Sequence, residues 1–268
     1  MPPPPLIVTL GDLLLDVIVR LEQPLAEGAD ADAVTRLGPG GQAANVAAWV
    51  AELGGRARFV GKRAADDAGD TAARALGRYG VEVRGPVVEG RTGTVVSLVG
   101  ADGSRTMASD RGVSPELRAE ELDASWLDGC ALLHLPGYSL LRSPIDGAAL
   151  AAAAQAPRLS VDLSSWSAIR DFGPELFRAR LEELGPELVF ANEDEERILG
   201  GRLDGCTWIL KRGARGASFD GALLPALPAA VLDTTGAGDA LAAGYLVGGP
   251  ELALEAAARC VAKLGSMP

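Results

Sequence analysis

Asp239 ends the segment Asp233-Thr-Thr-Gly-Ala-Gly-Asp239, and the apolar run Ala240-Leu-Ala-Ala-Gly-Tyr-Leu246 follows it. The spacing predicts a glycine-rich turn that opens a helix. The first turn of a helix carries amides without intrahelical partners and the positive end of the dipole. Glycines there let the backbone approach an anion closely. A carboxylate in the same turn repels a phosphate, so it needs a role of its own. Asp239 has one if it is a base that takes the proton from a hydroxyl attacking phosphorus. The amides of Gly236, Ala237 and Gly238 would then meet the charge on the transferring phosphoryl group. The plainer reading is an Asp N-cap at Asp233 or Asp239 beside a pair of packing glycines.

A second glycine-rich segment, Gly38-Pro-Gly-Gly-Gln-Ala-Ala-Asn45, also leads into a helix. Gly40 and Gly41 open the backbone to a ligand, and the Asn45 amide both donates and accepts, which suits a polyhydroxylated molecule. Gly11-Asp12-Leu-Leu-Leu-Asp16 follows the first apolar run, where Asp16 can hold a pair of sugar hydroxyls. A capped loop and a solvated carboxylate are the ordinary alternatives for these two.

The elements that must position these residues are legible in outline. Leu6-Ile-Val-Thr-Leu10 reads as a buried strand, and 13–21 as a second extended stretch. Residues 22–40, rich in Gly, Asp and Pro, read as a loop. From Gln42 to Leu53 the apolar spacing is helical, stopped by Gly54-Gly55. Residues 58–60 suggest a strand, and 68–79 a helix. Residues 92–108 read as a hairpin turning at Asp102-Gly103. Strands are predicted at 131–135, 159–162, 188–191 and 207–211, helices at 145–154, 174–184, 193–199 and 240–246. A second hairpin is expected at Asp220-Gly221. This alternation implies an α/β fold with a mostly parallel sheet covered on both faces. One domain, 1–268, with a small β appendage from about 13–38 and 91–110, is the simplest arrangement.

Composition narrows the function classes. The 268 residues carry 36 acidic and 25 basic groups, a net charge of -11, which argues against a nucleic-acid surface. No run reaches the length of a membrane span. The start, Met1 to Pro5, is proline-rich rather than basic, unlike a secretory signal. Cys130, Cys206 and Cys260 are too far apart for a CxxC metal site and odd in number for a disulfide framework, which fits a reducing, cytoplasmic setting. The one histidine, His134, lies in an apolar strand and reads first as a core residue.

Taken together, the Gly11 to Asp16 start, Gly40-Gly41-Gln-Ala-Ala-Asn45 and Asp233-Thr-Thr-Gly-Ala-Gly-Asp239 resemble, in order and separation, the ribokinase-like (PfkB) carbohydrate kinases. Phe59-Val-Gly61 with Asp66-Asp67 and Gly69, Thr92-Gly93, Asn192-Glu-Asp-Glu195, and Lys211-Arg-Gly213 with Gly216 are similar to further elements of that family, so the resemblance covers nearly the whole chain. It implies a three-layer α/β/α fold with a β lid, and ATP-dependent phosphorylation of a primary hydroxyl on a sugar. Asp239 would be the base, and the Gly236, Ala237 and Gly238 amides the anion hole. Asp16, Gly40, Gly41, Gln42 and Asn45 would bind substrate, with Arg105 in the lid hairpin facing any anionic group. Asn192, Glu195, Lys211, Gly213 and Gly216 would lie along the nucleotide, with Glu195 reaching Mg²⁺ through water. Asp233 and Thr235 occupy the positions where relatives hold a monovalent cation such as K⁺. A homodimer through the lid strands is a further expectation.

Some residues depart from the family pattern. The chain stops at Gly265-Ser-Met-Pro268, where many relatives continue, so an incomplete cation loop and adenine wall are expected. Leu14 replaces ribokinase's polar sugar ligand, so ribose is not the default substrate. Lys211 stands where many relatives have Thr. Phe190-Ala-Asn-Glu-Asp-Glu195 and Pro136-Gly137-Tyr138 also resemble adenosine-kinase-type members, which makes a nucleoside kinase the alternative. A non-catalytic sensor would have lost the base or the anion hole, and both are intact. A dinucleotide-binding oxidoreductase would need a GxGxxG after the first strand, which is missing.

Overall fold

A computed structural model describes residues 3–100 and 105–268, with only the backbone of Arg105. The strands are β1 (Leu6–Leu10), β2 (Leu14–Leu21), β3 (Ala33–Gly40), β4 (Arg56–Val60), β5 (Arg63–Ala64), β6 (Glu82–Arg84), β7 (Val87–Val88), β8 (Thr92–Val99), β9 (Arg105–Gly112), β10 (Cys130–Pro136), β11 (Leu159–Asp162), β12 (Leu188–Asn192), β13 (Thr207–Lys211), β14 (Ala217–Phe219) and β15 (Ala222–Leu224). The helices are α1 (Gln42–Glu52), α2 (Asp67–Arg78), α3 (Ile145–Ala153), α4 (Trp166–Phe172), α5 (Pro174–Leu184), α6 (Glu193–Ile198), α7 (Ala237–Gly248) and α8 (Pro250–Val261).

Among the described residues the large sheet runs β15-β14-β13-β12-β11-β10-β1-β4-β6. Its pairs are parallel from β6 through β13 and antiparallel at β13-β14 and β14-β15, the Asp220-Gly221 hairpin the sequence predicts. β1, buried at every position, lies between β10 and β4. A strand covered on both faces has no polar side to show, which is why Leu6 to Leu10 reads as a continuous apolar run.

Two apolar clusters cover the faces. One gathers Ala47, Trp49, Phe59, Leu76, Phe190 and Ala243, from α1, α2, α7 and the sheet's underside. The other gathers Val8, Leu133, Ile145, Phe177, Leu181 and Trp208, from α3, α5 and the opposite face. This is the three-layer α/β/α arrangement that the sequence resemblance implies.

β2, β3, β8 and β9 form a separate four-stranded sheet in the order β3-β2-β8-β9. β3 corrects the loop expected over 22–40. Its first residues are exposed and its last are Leu37-Gly-Pro-Gly40, so nothing local marks a strand; full pairing with β2, from Leu14↔Gly40 to Leu21↔Ala33, makes it one. β9 extends to Gly112, beyond the hairpin limit read from sequence. The Asp102-Gly103 turn lies outside the described residues. α8 is an addition: Gly249 ends α7, Pro250 sits at the first position of the new helix, and Ala253, Leu254, Ala256 and Cys260 form its buried side.

Candidate active site

The parallel strands end on one rim, where crossover connections leave a crevice in sheets of this kind. A cavity of about 1150 Å³ opens there. Asp162 reaches it from the end of β11, Asn192 from β12 and Lys211 from β13. Asp16 comes from β2 of the small sheet, Asn45 from α1 and Asp239 from α7.

α7 begins at Ala237, three residues before the apolar run at Ala240, so Ala237, Gly238 and Asp239 form its first turn. Gly236 is the N-cap at φ 78, a left-handed conformation that glycine adopts without strain. A Cβ there would lie 2.6 Å from Ser266 Cα. Ala237 N donates to Thr234 O over a long 3.3 Å. Gly236, Ala237, Gly238 and Asp239 all line the cavity.

Asn45 Nδ2 donates to Asp239 Oδ2 at 2.7 Å, joining the two glycine-rich segments across 194 positions of sequence. Gly41, at φ 96, caps α1, and a Cβ on it would run into the Asp12 carbonyl. Gly40 lies against the Asp16 carboxylate, which leaves no room for a side chain. It supports Asp16 rather than lining the cavity. Gln42 lines the cavity and accepts from Ser164 Oγ at 2.5 Å. Arg105 has its backbone in β9, and its side chain lies outside the described atoms.

Asp16 is buried, and burial pushes its carboxyl up to about 7, with Asp239 and Asp233 adding to the rise. Ser266 Oγ lies 3.3 Å from Asp16 Oδ2 and 3.0 Å from Asn45 Oδ1. No sequence pattern points to Ser266: nothing local predicts that a serine at this position meets Asp16, 250 positions earlier.

Elsewhere along the cavity, Asn192 and Glu195 lock one another. Asn192 Oδ1 accepts from Glu195 N at 2.9 Å, and Glu195 Oε2 accepts from Asn192 N at 2.8 Å. This capping box starts α6 and fixes where both side chains stand. Burial raises the Glu195 carboxyl above its ordinary range. Lys211 Nζ donates to Asp162 Oδ2 at 2.6 Å and lies beside Gly238. Burial alone would lower the Lys211 ammonium; Asp162, Glu195 and Asp239 around it hold it above its ordinary value. Asp162 is a second residue the sequence reading missed, because its role depends on that lysine. Gly213 and Gly216 line the cavity in the loop after β13. Leu227, Val231, Leu254, Ala258 and Val261 form an apolar wall near them. Leu254, Ala258 and Val261 of this wall come from α8.

Asp233 is buried, and its Oδ1 accepts from Thr235 N at 2.8 Å and Thr235 Oγ1 at 2.6 Å. Its Oδ2 accepts from Gly265 N at 2.9 Å, so the final residues are bound into the base of the anion turn. At the other end of the cavity Arg111 pairs with Asp12 and stacks its guanidinium 4.0 Å from the Tyr138 ring centre. His134 is fully buried, meets Ser160 Oγ at 3.0 Å and is pushed down to about 4 by burial; it is a neutral core residue.

A carboxylate in the first turn of a glycine-capped helix, lining a large cavity, is an arrangement that suits phosphoryl transfer. The family model for pfkB family carbohydrate kinases matches residues 4–267. The chain belongs to that family, whose members transfer phosphoryl groups to a hydroxyl acceptor. It is 31% identical over 276 residues to an ATP-dependent ribose-1-phosphate kinase of Halopiger xanaduensis, covering 95% of this chain and 90% of that protein. It is 31% identical over 272 residues to Fructokinase-1 of Zea mays, covering 90% and 82%. An uncharacterized sugar kinase from Pyrococcus horikoshii in complex with ATP shares the fold at a TM-score of 0.82 and 24% identity, over 98% of this chain and 95% of that one.

Proposed function

We propose that this kinase transfers the γ-phosphoryl group of ATP to a primary hydroxyl of a carbohydrate, with Asp239 as the base. The observation that carries the reading is the Asn45–Asp239 hydrogen bond at the N-terminus of α7, which joins an amide able to meet substrate hydroxyls to a carboxylate able to act as a base, beside first-turn amides able to meet an anion. Asp16 and Asn45 would hold acceptor hydroxyls, with Gly41 and Gln42 beside them. Asp239 would accept the proton of the attacking hydroxyl. The first-turn amides of α7, at Gly236 to Gly238, would face the transferring group.

ATP fits the donor end: the apolar wall suits a base, and Lys211 and the glycines 213 and 216 line the same cavity as the first turn of α7. ATP supplies the phosphoryl group and the leaving diphosphate. Glu195 and Asp162, acidic and facing the cavity, suit the water shell of Mg²⁺, which keeps several waters when it binds. A monovalent cation at Asp233 and Thr235 belongs to the same reading. Its support is a buried carboxylate whose donors, from Thr235 and Gly265, are neutral. Exchanging K⁺ for tetramethylammonium tests that part, with loss of turnover expected.

The stacked Arg111 guanidinium covers a face of Tyr138, an aromatic surface a nucleobase could use, which favours a carbohydrate over a nucleoside. The reading takes 1–268 as one kinase domain, with the four-stranded sheet as its lid. The three cysteines, none in a disulfide among the described residues, suit a cytoplasmic setting. Leu37 and Val34 on the edge strand β3, and Met107 on the other edge β9, are exposed and suit a lid-to-lid homodimer. Light scattering on the eluted protein should give twice the 27.5 kDa chain mass, and half that value would refute the dimer.

Coupled ADP release over sugars, sugar phosphates, sugar acids and nucleosides, with Mg²⁺ present, tests the function. Turnover of one carbohydrate class that disappears in Asp239→Asn is expected. Turnover confined to nucleosides, or unchanged in Asp239→Asn, would overturn the proposal.

A further inference from the structure

Ser266 is 2% exposed, and its backbone is held from several sides. Trp49 Nε1 donates to its carbonyl at 2.8 Å, and the preceding amide, Gly265 N, donates to Asp233. Its Cα packs on Gly236, where a Cβ has no room. The hydroxyl is therefore delivered to a fixed place by the main chain. From there it meets two groups, Asn45 Oδ1 at 3.0 Å and Asp16 Oδ2 at 3.3 Å.

A carboxamide has one accepting and one donating end, and rotating it by half a turn exchanges them. Ser266 Oγ–H, donating to Oδ1, fixes the accepting end of Asn45 toward the C-terminal segment. The donating end, Nδ2, is thereby turned toward Asp239 Oδ2, 2.7 Å away. The opposite orientation would set a carbonyl oxygen against a carboxylate. Two contacts on opposite ends of one amide thus agree on a single orientation.

We propose that Ser266 is a positioning residue for catalysis: it fixes the Asn45 amide so that Asn45 donates to Asp239 and holds the base toward the acceptor. This rests on the reading of Asp239 as the base. Ser266 itself touches neither the acceptor nor the phosphoryl group in this account. Its effect on Asp239, read in kcat, runs through Asn45 and must disappear when Asn45 is removed, whereas its longer contact with Asp16 would act on acceptor KM.

The test uses the full chain with Mg-ATP and three acceptor probes, D-fructose, D-ribose 1-phosphate and adenosine. Ser266→Ala should lower kcat about five- to tenfold, the scale of one lost hydrogen bond, and leave KM for ATP unchanged. Ser266→Cys, which fills the space with a weak donor, should behave like Ser266→Ala, and Ser266→Thr, which keeps the hydroxyl, should recover most of kcat. In an Asn45→Ala background Ser266→Ala should cost nothing further. A crystal structure of Ser266→Ala should show Asn45 turned or displaced from Asp239. Wild-type kcat in Ser266→Ala, an equal loss on the Asn45→Ala background, or an Asn45 that keeps its place would each overturn the proposal. If no probe is turned over by the wild type, the functional reading fails, and the crystal structure alone still decides the role of Ser266.

Discussion

Lys211→Met tests the charge arrangement at the donor end. Lys211 Nζ lies 2.6 Å from Asp162 Oδ2, with 16% of the lysine side chain and 1% of the aspartate exposed. At that separation and an effective dielectric of about 20, the attraction is about 6 kcal/mol. Part of it is offset in the native protein by the cost of taking both charges out of water. Removing one partner forfeits the attraction and leaves the other charge stranded, which typically costs about 3–5 kcal/mol. The solvent that reaches the lysine pulls the figure to the lower end. Glu195 and Asp239, which lose the same counterion, work against that. We expect a loss of about 3 kcal/mol, a fall of about 6 °C in melting temperature for a chain of this size. Lys211→Met/Asp162→Asn should regain most of it, because the stranded carboxylate is gone and an amide oxygen can still accept from Ser164 N. Differential scanning fluorimetry on the wild type, both single variants and the double variant measures all of this. KM for ATP should rise at least about tenfold in Lys211→Met, since three carboxylates would then face the phosphates uncompensated. A melting temperature within a degree of the wild type, or a double variant no more stable than Lys211→Met, would refute the reasoning.

Other outcomes follow from the same geometry. Asp239→Asn should lower kcat by about 10²- to 10⁴-fold with little change in ATP binding by calorimetry. Asp16 gives a pH dependence: its carboxyl is raised to about 7 in the fold from an ordinary 3.8, so the folded protein holds that proton more tightly than the unfolded chain. The stabilisation is present in full below about pH 4 and is lost as pH rises through about 7. Asp16→Asn should therefore melt progressively higher than the wild type between pH 5 and 8, while binding the acceptor more weakly. In the wild type, acceptor KM should fall as pH rises through 7, because the charged carboxylate is the stronger hydroxyl acceptor. Gly236→Ala should lose about 1–3 kcal/mol in urea unfolding and most turnover, since a Cβ at φ 78 meets the Ser266 backbone.

The parts of this molecule that declare themselves in sequence are those with a local cause. β1 reads as a strand because it is buried on both faces, and α1 reads as a helix because its alanines recur at helical spacing beside Trp49. The two glycine-rich segments stand out because backbone close to an anion or another main chain excludes side chains. β3 does not stand out, since its pairing with β2 is its cause and that lies outside the segment. α8 carried its signals, Pro250 after Gly249 and an apolar side, and was passed over. Within the site, Asp16, Asn45 and Asp239 were legible from the motifs around them. Asp162 and Ser266 were not: each acquires meaning only from a residue that the fold brings to it, Lys211 for the first and Asn45 for the second.

Asp16 is carried by the small sheet, whereas Asn45 and Asp239 are carried by helices packed on the large one. An acceptor that touches all three must span two bodies at once. A carbohydrate that bridged both sheets would brace one against the other, so that acceptor binding and the relative placement of the two sheets would be coupled.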